Sequence, residues 1–293
     1  MPSELKSAIV TGAGGTIGRA VIGVLLQHGM RVVAASRSIS RLEKILRQHY
    51  PDARESVVFK ETDVRIAEQT RELIEFCTGT LGGLDVLVNA AGIYGAIGVV
   101  RDVAPVEWRS ALETNLLGTY HCCHYALGHM VPAGRGRILN VAGGGATGPL
   151  EHLSSYAVSK AGIVRLTDTL AKEVSANGIC VNAILPGAVD SAMQDQLLLA
   201  RDKAGPWYEK IKALRESGSG AISADLTGHL TEFLLFGAGR ELTGKLLSAR
   251  YDRFRQWTGA EIELIARTDA FTLRRLDPST LTPLIQSGPV LKL

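Results

Sequence analysis

The chain has 293 residues, 46% hydrophobic and 21% charged, a globular balance that excludes a disordered chain. Its 32 glycines and 5% aromatic content suit an α/β protein with many tight strand-to-helix turns better than an aromatic-rich β-sandwich. A net charge of +3 with no basic run argues against nucleic-acid binding, and no apolar stretch reaches the ~18 residues of a membrane span.

Residues 1–6 are short and polar and lead straight into a strand-like run, so no signal peptide is expected. Strands are expected at 7–11, 31–36, 57–60, 84–89, 137–141 and 179–185. Helices are expected at 16–28, 40–49, about 66–78, 105–130, 154–177 and 223–236. Apolar strands alternating with helices imply βαβ crossovers and a doubly wound parallel sheet with helices on both faces. No repeat or low-complexity linker interrupts residues 1–250, which are read as one domain. Residues 191–222 break the rhythm with mixed charge, Gly205-Pro206 and Gly218-Ser219-Gly220, and are expected to form a long lid loop. Cys77, Cys122, Cys123 and Cys180 form no CxxC pair and are read as buried thiols of a reducing cytoplasm. His121, His124 and His129 share one helical segment, but their spacing does not keep all three on one face, so no metal site is expected.

Thr11-Gly12-Ala13-Gly14-Gly15-Thr16-Ile17-Gly18 follows the first strand and opens the first helix. Glycines there let the backbone approach a pyrophosphate, and the helix N-terminus offers N–H groups and a positive dipole end. A glycine turn alone is weak evidence. At the first βα turn of a βαβ unit it points to dinucleotide binding by a Rossmann-type fold. At the end of the second strand, an acidic residue would bind a ribose 2′-hydroxyl. Here stand Ser36 and Arg37, and a guanidinium can instead pair with a 2′-phosphate, which favours NADP over NAD. The alternative is a solvated arginine at a helix start.

Tyr156 and Lys160 stand at i and i+4, on one face of a helix. A nearby ammonium would lower a tyrosine pKa from its usual value near 10, preparing the phenol as a general acid or base. The spacing alone is weak, since YxxxK arises by chance in many helices.

Over about residues 5–250 the chain resembles the short-chain dehydrogenase/reductase family, compact single-domain branch. The resemblance rests on the glycine loop, Asp63-Val64, Asn89-Ala90-Ala91-Gly92, Asn115-Leu116-Leu117-Gly118, Tyr156 with Lys160, and Asn182-Ala-Ile-Leu-Pro186-Gly187, all in the family's order. It implies that Asp63 and Val64 hold the adenine, and that Asn89 to Gly92 line the cofactor cleft. Tyr156 and Lys160 would touch the cofactor too, with Lys160 on the nicotinamide ribose. Asn115 would kink its helix and anchor a water of a proton relay. Pro186, Gly187 and Val189 would pass beside the nicotinamide, with Ser191 on its carboxamide. A homodimer or homotetramer is also implied.

Three departures from the family pattern matter. The glycine spacing Gly12, Gly15, Gly18 fits the longer branch that works on nucleotide sugars, whereas the other motifs fit the compact one. The family's active-site serine is missing, since Ala142 and Gly143 stand there and neither side chain donates a hydrogen bond. Thr147 is the leading replacement, with His152, Ser154, a backbone N–H of the triple glycine or a substrate hydroxyl as alternatives. Finally, residues 251–293 form a C-terminal extension rich in arginine and aromatics. They are expected to pack on the body or a neighbouring subunit, or to bind an anionic or sugar-like group.

The expected function is an NADP(H)-dependent oxidoreductase interconverting a ketone and a secondary alcohol. The middle of 191–222 holds few apolar residues among its charges (Arg201-Asp-Lys203, Lys210, Lys212, Arg215-Glu216), which points to a small, polar, hydroxylated metabolite such as a sugar or cyclitol. An epimerase acting by transient oxidation, and a cofactor-binding protein without catalysis, are the rival readings.

Overall fold

The computed structural model describes residues 5–217 and 223–275. Gly218-Ser219-Gly220 and residues 276–293, including Pro278, lie outside the described residues. Strand β1 (Ser7–Thr11) is buried throughout and leads through the glycine turn into α1 (Thr16–Gln27), which buries Val21, Ile22, Val24 and Leu25. Next come β2 (Arg31–Ser36), α2 (Ile39–His49), β3 (Val57–Glu61) and α3 (Ala67–Leu81). Helix α3 stops at Gly82, whose φ of 81° only glycine adopts without strain.

After β4 (Val86–Asn89), the single helix expected over 105–130 is divided. Helix α4 (Pro105–Ala111) is followed by a π-helical turn over Leu112–Leu117 and then α5 (Gly118–Ala133). Strand β5 (Gly136–Val141), α6 (Ser154–Glu173) and β6 (Ile179–Leu185) match the expected rhythm.

All seven strands pair in parallel, in the order β3-β2-β1-β4-β5-β6-β7. Alternate residues feed opposite faces: Ala8, Val10, Val32 and Ala34 join one core cluster, while Ile9, Val33 and Ala35 join the other. Helices cover both faces, so the inner strands read as unbroken apolar runs rather than alternating ones.

Residues 191–217 are helical, not a long loop. Helix α7 (Ala192–Ala200) and α8 (Pro206–Glu216) flank a short 3-10 turn. Leu197, Ala204 and Ile211 are buried on one side against Leu153, while the charged residues face outward. The outward charges Arg201, Asp202 and Lys203 mask that apolar spacing in the sequence.

Helix α9 (Ala224–Leu235) precedes β7 (Leu246–Ser248), the short edge strand. The extension then folds back on the body. Helix α10 (Gly259–Arg267) starts at a capping box formed by Thr258 and Glu261. Phe254 and Ile265 are buried in the core beside α1 and α9, and Trp257 packs between Phe233 and Phe271. The Leu246 N–H donates to the Phe271 carbonyl at 2.8 Å, and Lys245 Nζ donates to the Thr268 and Ala270 carbonyls at 2.6 and 3.2 Å. The edge of β7 is thus covered by the chain's own tail, which protects an otherwise open ladder. Phe254, Trp257 and Phe271 of the tail pack inward, while Tyr251, Arg250, Arg253 and Arg255 are exposed. Among the described residues, no helix is long and apolar enough to cross a membrane.

Candidate active site

The glycine turn is built for close approach. Gly12 has φ of 62°, and a Cβ there would lie 2.6 Å from the Ala90 carbonyl oxygen. A Cβ on Gly18 would lie 2.5 Å from the Gly12 carbonyl oxygen. Gly15 is the N-cap of α1 and has no capping side chain, so the first-turn N–H groups at Thr16, Ile17 and Gly18 are free to receive a phosphate. Thr16 Oγ1 donates to the Asp190 carbonyl at 3.3 Å, tying this turn to the segment after β6.

Ser36 ends β2 next to this turn, and Arg37 follows it. Arg37 is exposed and makes no hydrogen bond or ion pair among the described residues. Asp63 accepts from Arg65 Nη2 at 2.6 Å and from the Arg65 N–H at 3.0 Å. Chiefly through Arg65, with Arg37 adding a smaller share, its carboxyl is held below the usual carboxylate range. Val64 is buried against Gly118, where a Cβ would come 2.6 Å from Val64 Cγ2. His121 Nδ1 lies 3.0 Å from the Val64 carbonyl oxygen, which gives that ring a packing role on α5.

Asn89 ends β4 opposite Asn140 on β5. Its Nδ2 donates to Asn140 Oδ1, and Asn140 Nδ2 donates to Thr167 Oγ1 on α6, both at 2.9 Å. Asn89 Oδ1 is buried and has no partner among the described residues. Ala90 lies over Gly12, and the Ala91 N–H donates to Thr11 Oγ1 at 3.3 Å. These motifs from β1 and β4 therefore meet in one crevice at the carboxyl ends of the strands, where an open parallel sheet binds its ligand.

Asn115 is fully buried in the π-helical turn. Its Oδ1 accepts from the Ile93 N–H, and its Nδ2 donates to the Ile93 carbonyl and to Ser159 Oγ, each at 2.9 Å. The side chain clamps the loop after β4 to α6. The kink expected at Asn115 is thus a π-helical turn. The Asn115 carbonyl accepts from Thr119 Oγ1 at 2.7 Å.

Tyr156 and Lys160 occupy the first turns of α6. Lys160 is 4% exposed and donates from Nζ to the Val141 carbonyl at 2.7 Å. Burial pulls its pKa down to about 8. Its Nζ lies 5.6 Å from the centre of the Tyr156 ring. The expected lowering of the tyrosine pKa is not what the structure gives. Burial, reinforced by the neighbouring Tyr94, pushes the Tyr156 phenol above its ordinary value. A Cβ built on Gly92 would sit 3.3 Å from Asn115 Oδ1 and 3.5 Å from Lys160 Nζ, so glycine keeps this wall of the crevice thin.

At the missing serine, the Tyr156 hydroxyl fills the space itself, since a Cβ on Gly143 would lie 2.3 Å from it. Of the side chains expected to stand in, one is exposed and two make contacts elsewhere. Thr147 is exposed and makes no described hydrogen bond. His152 Nδ1 is 2.8 Å from the Lys203 carbonyl oxygen, and Ser154 Oγ accepts from Trp108 Nε1 at 3.0 Å. The neighbour the sequence reading missed is Tyr94, whose ring meets the Tyr156 ring edge-on with centroids 5.0 Å apart. It follows the Asn89–Gly92 motif by two positions, and only the fold brings it to α6.

Pro186 is buried at the end of β6, and Gly187 turns the chain with φ of 84°. Val189 is buried, and Ser191 is the N-cap of α7. The α7–α8 unit is pinned here, with Arg215 Nη2 3.1 Å from Asp190 and 2.6 Å from Asp195. Trp207 Nε1 donates to the Glu151 carbonyl at 2.9 Å. Its inner face is apolar, with Leu197, Leu198, Trp207 and Ile211 clustered with Leu153, Tyr94 and Tyr156. An opening of about 550 Å³ runs beside the Tyr94 loop, lined by Ile93, Ala96, Ile97, Val106 and Gln196 among others.

The family model for short chain dehydrogenases matches residues 6–202. An uncharacterized oxidoreductase of Staphylococcus aureus (strain MRSA252) is 34% identical over 188 residues, covering 64% of this chain and 80% of that protein. Among solved structures, a variant of actinorhodin polyketide ketoreductase with NADPH superposes with a TM-score of 0.75 at 27% identity, covering 85% of this chain and 97% of the other. ElxO with NADP bound gives 0.73 at 25% identity, covering 88% and 99%. The chain belongs to the short-chain dehydrogenase/reductase family and is an oxidoreductase acting on alcohol/ketone pairs with a nicotinamide dinucleotide.

Proposed function

We propose that this protein is an NADP(H)-dependent oxidoreductase that interconverts a ketone and a secondary alcohol, with Tyr156 as the proton donor and acceptor. The observation that carries this is the meeting of Tyr156 and Lys160 with the glycine turn and the Asn89–Gly92 loop in one crevice. When bound, the nicotinamide supplies or takes the hydride. The chain does the rest. Gly12, Gly15, Thr16, Ile17 and Gly18 receive the pyrophosphate. Asp63 and Val64 border the adenine, and Asn89, Ala90, Ala91 and Gly92 form the crevice floor. Pro186, Gly187, Val189 and Ser191 flank the nicotinamide. Lys160 stabilises the phenolate side of the proton transfer, and Asn115 holds the loop after β4 against α6.

Arg37 sits beside Ser36 with its guanidinium unengaged, which suits a 2′-phosphate. Three of the similar solved structures contain NADPH or NADP. Arg37→Glu is expected to weaken NADPH binding about 100-fold, because a charge-assisted bidentate contact becomes a repulsion. NADH affinity should stay within about threefold. Fluorescence titration of each nucleotide measures both, and unchanged NADPH affinity would refute the assignment.

The substrate reading shifts from the sequence expectation. The inner face of the α7–α8 unit is apolar and the opening beside Tyr94 is mostly so, with Glu107, Ser110 and Gln196 on its wall, so we favour a ketone with an apolar body over a sugar or cyclitol. Residues 1–250 would act as the catalytic domain, α7–α8 as its lid, and 251–293 as a packing extension. Exposed Leu117, Tyr120 and Val158 on α5, its preceding turn and α6 would serve a homo-oligomer. Following NADPH absorbance with cyclohexanone, 2-tetralone, dihydroxyacetone and an inosose tests the reading. Turnover should favour 2-tetralone or cyclohexanone. No NADPH oxidation with any of the four would sink it.

A further inference from the structure

The proton-transfer site lacks a second hydroxyl where the family has its serine. With Gly143 there, no side chain reaches the reacting oxygen from β5, and the Tyr156 hydroxyl lies where a Cβ would be. Thr147, His152 and Ser154 are exposed or engaged elsewhere. Among the described residues, one phenol ring meets the Tyr156 ring. Tyr94 is half-buried, its ring meets that of Tyr156, and its hydroxyl has no described hydrogen bond.

Tyr94 is also firmly held. The N–H and carbonyl of the preceding Ile93 both bond to the Asn115 side chain. The Tyr94 carbonyl accepts from Ser155 Oγ at 3.3 Å, and the Gly98 N–H donates to the His152 carbonyl at 2.8 Å. Gly95, with φ of 70°, packs so closely that a Cβ would lie 2.7 Å from Ala111 Cβ. A donor fixed in advance on a rigid loop stabilises developing charge without reorganisation. Burial pushes the Tyr94 phenol up to about 12, so it keeps its proton and stays a donor at neutral pH.

We propose that Tyr94 donates the second hydrogen bond to the substrate oxygen, the part the family gives to a serine. The inference rests on the oxidoreductase reading. In reduction, the carbonyl carbon gains a hydride from the reduced nicotinamide and its oxygen takes the proton of Tyr156. The ketone becomes the alcohol and the nicotinamide is oxidised. Tyr94 only donates a hydrogen bond and loses no proton.

The test compares Tyr94→Phe and Tyr94→Leu with the wild type, using NADPH and 2-tetralone. Phenylalanine keeps the ring against Tyr156 and removes only the hydroxyl. It should lower kcat about 100-fold, the usual loss for one such donor. KM and NADPH affinity by fluorescence should stay within about threefold, which a misfolded site would not allow. Tyr94→Leu should be as slow as Tyr94→Phe. A Tyr94→Phe enzyme within about threefold of wild-type kcat overturns the proposal, and full activity there with loss only in Tyr94→Leu shows a packing role instead. A wild-type enzyme inactive on every ketone would overturn the oxidoreductase reading itself, a separate outcome.

Discussion

Tyr156→Phe is expected to lower kcat about 1,000-fold while leaving NADPH affinity within about threefold, as general acid–base groups contribute some 10²–10⁴-fold. The ring remains, so its contact with Tyr94 and its place in the apolar cluster with α7 and α8 are kept. Only the proton carrier is lost. The pH dependence carries a second expectation, with opposite signs in the two directions. Burial holds the Tyr156 phenol above its ordinary pKa, so it is protonated throughout the neutral range. Reduction uses that proton and should run flat with pH up to the range where Lys160 titrates. Oxidation needs the phenolate beside a charged Lys160, whose population grows about tenfold per pH unit until Lys160 titrates at about 8, so its rate should climb with pH to that range and level off above it. Steady-state rates in both directions from pH 6 to 9 measure this. A phenylalanine variant that retains wild-type kcat would remove Tyr156 from the chemistry.

The fold was legible because a parallel sheet covered on both faces writes its strands as apolar runs, and each expected strand is present. The glycine turn, the Asn89–Gly92 loop and the α6 pair were legible because each is local in sequence. What was not legible depends on partners far along the chain. The helices over 192–216 were hidden because their apolar face is narrow and their charges dominate the composition. Tyr94 was missed because nothing in Ile93-Tyr94-Gly95 says that the loop folds onto α6. That information lies in Asn115 and Ser155, which grip it. The sign of the Tyr156 pKa shift was also out of reach. A lysine at i+4 implies a helpful charge, but the depth of burial of both side chains decides which effect wins.

Lys160→Met should separate activity from stability, moving them in opposite directions. At 5.6 Å from the Tyr156 ring and an effective dielectric near 20, the ammonium is worth about 3 kcal/mol to a phenolate, or roughly 150-fold in rate. Turnover should fall by about that factor. Yet the same ammonium is buried and has only the Val141 carbonyl as its described hydrogen-bond partner. Its pKa of about 8 in the fold lies below the ~10.4 of an unfolded lysine. The unfolded chain therefore binds the extra proton between about pH 8 and pH 10.4, and native stability rises with pH across that window. Below it the burial penalty is fully present, about 3 kcal/mol by the shift. Methionine removes the charge and keeps most of the volume, but leaves the Val141 carbonyl unpaired at a cost of about 1 kcal/mol. The variant should be more stable than wild type by about 2 kcal/mol at pH 7, and the advantage should vanish at about pH 9.5 and reverse to a deficit of about 1 kcal/mol by pH ~10.4. Urea unfolding of both proteins at pH 7 and pH 10 reads the difference directly. A less stable methionine variant at pH 7 would mean that the ammonium is better solvated than its burial implies, and that the charge beside Tyr156 costs the fold nothing.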